Sequence, residues 1–173
     1  MSELMPVFLV GPMGAGKTTI GRHLARLLGK SFVDLDQEIE QSCGADIAWI
    51  FDVEGESGFR KRESAMLREM AGRSNMVIAT GGGVVLDSDN RALLKRSGTV
   101  VYLCVAAKIL YSRMQQDTKR PLLQVDDKKT MIENIVKERE PLYREIADIV
   151  FDGHKKTPAA AAQELAALIK QQL

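Results

Sequence analysis

Apolar residues along this chain follow two rhythms. Short unbroken runs at residues 7–10, 76–80 and 100–104 have the length of strands buried on both faces. Residues 32–36 read as a further short strand ending in two acids, and 149–151 as a last one. Between them the spacing turns helical: Ile20, Leu24, Leu27 and Leu28 recur at three and four residues, with Gly29 as the stop. Further helices are predicted at 37–43 before Gly44, at 47–51 capped by Asp46, and at 59–71 beyond Gly55 and Gly58. Others run from Asp87 or Ser88 through Lys95, over 106–114, over 130–140 with a break near Pro141, and over 159–173. Residues 115–129 lose periodicity, turn polar and contain Pro121, so they are expected to form a loop long enough to act as a mobile lid.

Alternating strands and helices imply an α/β fold: a five-stranded parallel sheet with helices on both faces, a three-layer sandwich. Ligands of such sheets gather beyond the carboxyl ends of the strands. Three segments there carry unusual chemistry: Gly11 to Thr18, Asp34-Leu35-Asp36, and Gly81-Gly82-Gly83. The first reads Gly-Pro-Met-Gly-Ala-Gly-Lys-Thr, a phosphate-binding loop (P-loop) between a strand and a helix, as the motif requires. Its glycines let backbone N–H groups turn inward, and the helix N-terminus adds partial positive charge. Lys17 is placed to reach the β- and γ-phosphates and the Thr18 hydroxyl to ligate Mg²⁺. The implied ligand is a nucleoside triphosphate.

Composition narrows this reading. A chain of 173 residues is expected to form one domain over 1–173. A formal charge of +1, with basic residues dispersed, offers no case for nucleic acid or an anionic membrane. No apolar run nears the roughly 20 residues of a membrane span. The first residues resemble no signal peptide, so a reduced cytoplasmic location is expected. Cys43 and Cys104 lie far apart and lack metal-site spacing.

Spacing alone leaves several roles open. On an extended strand Asp34 and Asp36 would project to one side, able to divide magnesium binding from proton acceptance; Asp36 could equally just cap the helix at Gln37. Arg60 and Glu63 sit three residues apart, close enough for the acid to fix the guanidinium, or simply to share a solvated face. Arg139, in Lys-Glu-Arg-Glu, reads as part of a solvated charge run. Three consecutive glycines are entropically costly unless backbone must approach something closely. Arg113, Lys119 and Arg120 line the expected lid or its approach, where cations could meet charge on a transferred group.

Taken in order, the motifs resemble those of the shikimate kinases. These are the loop Gly-Pro-Met-Gly-Ala-Gly-Lys-Thr-Thr-Ile-Gly-Arg, Asp34-x-Asp36, Gly58-Phe59-Arg60-x-Arg62-Glu63, Gly81-Gly82-Gly83, Arg120-Pro121-Leu122-Leu123 and Arg139-x-Pro141-Leu142-Tyr143. The resemblance implies ATP-dependent phosphorylation of the shikimate 3-hydroxyl. It places Asp36, Arg60, Gly82 and Arg139 around shikimate, with a substrate-binding segment at about 34–62. Thr18 and Asp34 would serve one Mg²⁺ per subunit. Gly14, Ala15, Gly16, Lys17, Thr18 and Thr19 would bind ATP, with Arg113, Arg120 and Lys156. Lys17, Asp36 and Arg120 would be catalytic, in a monomer with no nucleic-acid or membrane partner. Three other readings share the phosphate loop: a kinase for gluconate or a similar acid, a nucleoside monophosphate kinase, and a GTP-dependent switch. The last is disfavoured by the lack of an Asn-Lys-x-Asp motif.

Overall fold

The computed structural model describes residues 4–115, 120–123 and 125–173. The apolar runs form β1 (Val7–Val10), β2 (Ser31–Asp34), β3 (Met76–Ala79), β4 (Thr99–Leu103) and β5 (Ile149–Phe151). All pairings are parallel, in the order β2-β3-β1-β4-β5. Parallel neighbours need crossovers. The helices are α1 (Lys17–Leu28), α2 (Leu35–Cys43), α3 (Ile47–Ala71), α4 (Ser88–Ser97), α5 (Ala107–Met114), α6 (Lys128–Ile146) and α7 (Pro158–Gln172).

Every residue of β1 and β3 is buried, because alternate side chains enter two different cores. Leu9, Val77 and Leu103 join Leu24 of α1, Leu110 of α5 and Leu165 of α7 on one face. Phe8, Ile78 and Tyr102 join Leu67 of α3, Leu94 of α4 and Tyr143 of α6 on the other. Burying one such large apolar side chain contributes about 1.5–3 kcal/mol. These are the three expected layers. Among the described residues no helix is long and apolar enough to cross a membrane.

Three local expectations need correction. Asp34 and Asp36 do not share a strand face: Asp34 closes β2, and Asp36 already lies in the first turn of α2. Asp34, not Asp36, is the cap, its Oδ1 accepting from the N–H groups of Asp36 at 3.0 Å and Gln37 at 3.2 Å. Pro141 does not break its helix, since α6 runs on to Ile146. Proline removes one backbone donor, but Ile135, Arg139, Tyr143 and Ile146 are buried along that helix, and Tyr143 and Ile146 pack with Phe8, Ile78 and Tyr102 of the sheet. Gly58 is helical, while Gly55 alone turns the chain, with φ 74° and ψ 176° inside α3. Asp46 and Asp87 cap α3 and α4 as expected. Within the expected lid, Pro121–Leu123 forms a 3-10 turn. Lys119, named for that lid, lies outside the described residues.

Candidate active site

Beyond the carboxyl end of β1 the chain folds into a tight loop. Gly14 and Gly16 take left-handed backbone angles, φ 78° and 94°, that a side chain would oppose. The turn they permit brings the chain directly into α1. Lys17, buried at the first position of that helix, folds back to donate to the carbonyls of Gly11 at 2.7 Å and Pro12 at 2.8 Å. Burial lowers its pKa to about 8, against the attraction of Asp36. Arg113 reaches the same loop from α5, donating to the Gly14 carbonyl at 2.7 Å. Beside the loop lies a cleft of about 160 Å³, lined by Gly16, Thr19, Arg113, His154 and Lys156. Lys156 pairs there with Glu164. His154, which no sequence pattern singles out, pairs with Asp152 at 2.8 Å.

Asp34 ties this loop to the next element. While its Oδ1 caps α2, its Oδ2 accepts from the Thr18 hydroxyl at 2.6 Å. A hydroxyl and a carboxylate thus meet where α1 begins, two hard oxygen donors of the kind Mg²⁺ takes. Among the described residues no cluster of three acidic, His or Cys ligands occurs, so a metal here would complete its shell with phosphate and water.

A larger cavity of about 590 Å³ opens on the other side, walled by α2, α3, the glycine triplet and α6. Asp36, Arg60, Gly82, Arg120 and Arg139 all line it, so the expected acceptor set converges in space. Arg139 is only 4% exposed, which corrects the reading of its neighbourhood as a solvated charge run. The helix turns that one residue inward while Lys137 and Glu138 stay exposed. Arg60 donates through Nη1 to Glu63 at 2.9 Å and through Nη2 to Glu56 at 3.2 Å. Glu63 is 1% exposed, so this is no solvated pair.

The triplet's bareness makes the geometry possible. A Cβ on Gly81 would stand 2.7 Å from Glu63 Oε2 and 3.0 Å from Asp36 Oδ1. A Cβ on Gly83 would fall on the Arg60 guanidinium. Among the described residues, buried side-chain atoms lacking a hydrogen-bond partner are Asp36 Oδ1, Glu63 Oε2, Arg60 Nε and Arg139 Nε. All four belong to residues of this one cavity. Proteins rarely leave such groups unsatisfied, and acceptors and donors gathered together fit a polar, charged ligand. Burial, and then the nearby charge of Asp34, raise the Asp36 pKa to about 6, with Lys17 opposing. Burial likewise raises Glu63, in spite of Arg60.

Other residues about the cavity were given no role by the sequence, although Met13, Phe59 and Tyr143 stand within the quoted motifs. Met13 lines the cavity, and Phe51 and Phe59 supply its apolar wall. Tyr143 is buried and donates to the Gly82 carbonyl.

Known proteins sharpen the picture. A family model for shikimate kinase matches residues 13–170. The chain is 49% identical over 170 residues to the shikimate kinase of Histophilus somni (strain 2336), covering 98% of this chain and 97% of that one. It is 51% identical over 173 residues to that of Shewanella sp. (strain ANA-3), covering 100% and 99%. Among solved structures, shikimate kinase from Acinetobacter baumannii in complex with shikimate matches with a TM-score of 0.96 at 46% identity, over 99% of this chain and 96% of that one. With about half of its residues shared along the full length, the gluconate, nucleotide and switch readings fall away, and the chain belongs to the shikimate kinase family.

Proposed function

We propose that this protein transfers the γ-phosphoryl group of ATP to the 3-hydroxyl of shikimate, giving shikimate 3-phosphate and ADP. The observation that carries the proposal is the meeting of a phosphate loop with a cavity holding an acid and two guanidinium groups with unsatisfied N–H donors. Arg60 and Arg139 grip the acceptor's carboxylate, for which a guanidinium is matched in shape and charge. Asp36 holds the hydroxyl and accepts its proton as oxygen bonds to phosphorus and the β–γ bridge breaks. A carboxylate titrating at about 6 is mostly ionised at neutral pH, yet basic enough to take a proton.

Lys17 and Arg120 meet the charge on the moving phosphoryl group, where fixed cations act most strongly. Gly14, Ala15, Gly16, Thr18 and Thr19 hold the phosphates, with Arg113 and Lys156 on the nucleotide side. Thr18 and Asp34 would hold one Mg²⁺, which when bound neutralises phosphate charge. We assign residues 1–173 to one domain, with an acceptor segment at about 34–62 and a lid at about 115–129. The working unit is a cytoplasmic monomer.

A coupled ADP-release assay tests the reading. Release should depend on shikimate and on Mg²⁺, and should not respond to gluconate or to nucleoside monophosphates. Equal release without shikimate would overturn it.

A further inference from the structure

Tyr143 is 1% exposed and its ring stacks on Tyr102 with centroids 5.0 Å apart. A phenylalanine would fill that space equally well, so the hydroxyl calls for its own account. It donates to the carbonyl of Gly82, the middle residue of the glycine triplet, 61 positions away in sequence. Tyr143 also stands four residues after Arg139 on α6, on the same helix face. Arg139 Nη1 would lie 3.5 Å from a Cβ on Gly82, so this guanidinium rests against the peptide that Tyr143 holds. Among the described residues every peptide bond is trans. In a trans peptide the Gly82 C=O and the Gly83 N–H share a plane and point opposite ways, so anchoring one aims the other. Gly83 is in turn the residue covered by the Arg60 guanidinium.

We infer that Tyr143 is a positioning residue for the acceptor's carboxylate, locking the Gly82–Gly83 peptide between the two arginines that grip it. Backbone turn bonds from Val84 and Leu86 hold the carbonyls of Gly81 and Gly83, and the buried Tyr143 hydroxyl holds the one between them, that of Gly82. Burial raises the Tyr143 pKa, with the charge of Arg139 and its hydrogen bond to the hydroxyl opposing, and the group remains a donor at neutral pH, holding Gly82 while it braces Arg139. The inference rests on the proposed carboxylate grip of Arg60 and Arg139.

The test is steady-state kinetics on Tyr143→Phe, with melting curves confirming the fold. One hydrogen bond lost from substrate positioning should raise the shikimate KM about five- to tenfold. kcat should stay within about twofold and the ATP KM should not move, as expected for uniform binding. Two controls separate positioning from loosened packing. With the same hydroxylated ring lacking its carboxylate as acceptor, Tyr143→Phe and the unaltered enzyme should have equal kcat/KM. Tyr102→Phe, which trims the stacked neighbour, should leave the shikimate KM alone. A folded Tyr143→Phe with unchanged shikimate KM would overturn the inference while leaving the function intact. So would an equal loss on the carboxylate-free acceptor, or an equal effect of Tyr102→Phe. If Arg139→Lys also left the shikimate KM unchanged, the carboxylate grip itself would fail, and the inference with it.

Discussion

Adding one methyl group at Gly83 should weaken acceptor binding without replacing any polar side chain. Gly83 has φ −96° and ψ 5°, angles that alanine adopts, so Gly83→Ala brings no backbone strain. The new Cβ would occupy the place of the Arg60 guanidinium. That guanidinium is the far end of a flexible side chain, so it moves, giving up its bonds to Glu63 and Glu56 in their present geometry. Stability falls: Glu63, 1% exposed, loses its cation, and a buried charge left uncompensated costs about 3–5 kcal/mol, of which the stiffer unfolded chain offsets about 0.4–1 kcal/mol. A fall in Tm of roughly 5–20 °C is expected, at about 2–4 °C per kcal/mol for this size. Binding changes as well. A charge-assisted bond to the substrate carboxylate is worth about 1.5–3 kcal/mol, so losing it raises the shikimate KM about ten- to a hundredfold. The carboxylate's charge barely changes during transfer, so kcat should remain within a few-fold. Varying shikimate and ATP separately on the folded variant reads this directly. An unchanged shikimate KM, or a loss confined to kcat, would refute the placement of Arg60.

Other expectations follow from the same geometry. Arg120→Ala should lower kcat about a hundredfold or more with little change in the shikimate KM, because its partner charge develops only during transfer; a rise in KM alone would reverse that role. Glu63→Gln should gain stability relative to the unaltered protein as pH rises from about 4 to 7 in urea unfolding. Burial holds the folded-state pKa of Glu63 above 4.5, so ionisation costs the folded state nothing well below that value and progressively more above it. A difference flat with pH would contradict this. Trp49, half exposed on α3 beside the cavity-lining Ala48, should change its emission when shikimate is added without ATP, and a flat titration would show that this part of α3 does not respond.

The phosphate loop was legible because its chemistry is consecutive in the chain, and the sheet because its runs are short and uninterrupted. The acceptor cavity was legible mainly through family motifs. Arg139 shows why: its local pattern is charged throughout, and only the packing of α6 against the sheet turns that one side chain inward. Asp34 shows a different limit. Alternation along a strand places two acids on one face, but the strand ends at Asp34, and a helix rotates Asp36 elsewhere. Pro141 was misleading since local propensity weighs less than the buried residues on either side. Phe51 gave no signal, and Phe59 and Met13 gave no role though they stand inside quoted motifs, because an apolar residue lining a ligand cavity looks the same in sequence as one filling a core.

Gly55 divides α3 into two arms with separate duties. Ile47, Ala48 and Phe51 form a largely apolar wall on the near arm, whereas Arg60 and Glu63 carry the charge on the far one. Apart from its own stretch of chain, no atom of the described residues lies within 4 Å of where a Cβ on Gly55 would sit, so the corner is set by torsion, not by crowding. The Phe51 ring packs on Phe59 and Glu54 pairs with Arg62 across the corner, so the two arms are fastened to each other. Redrawing the near arm to suit an acceptor of different outline therefore disturbs the arm that carries the anion grip. The corner couples shape selection to charge selection, and it depends on one residue free of handedness.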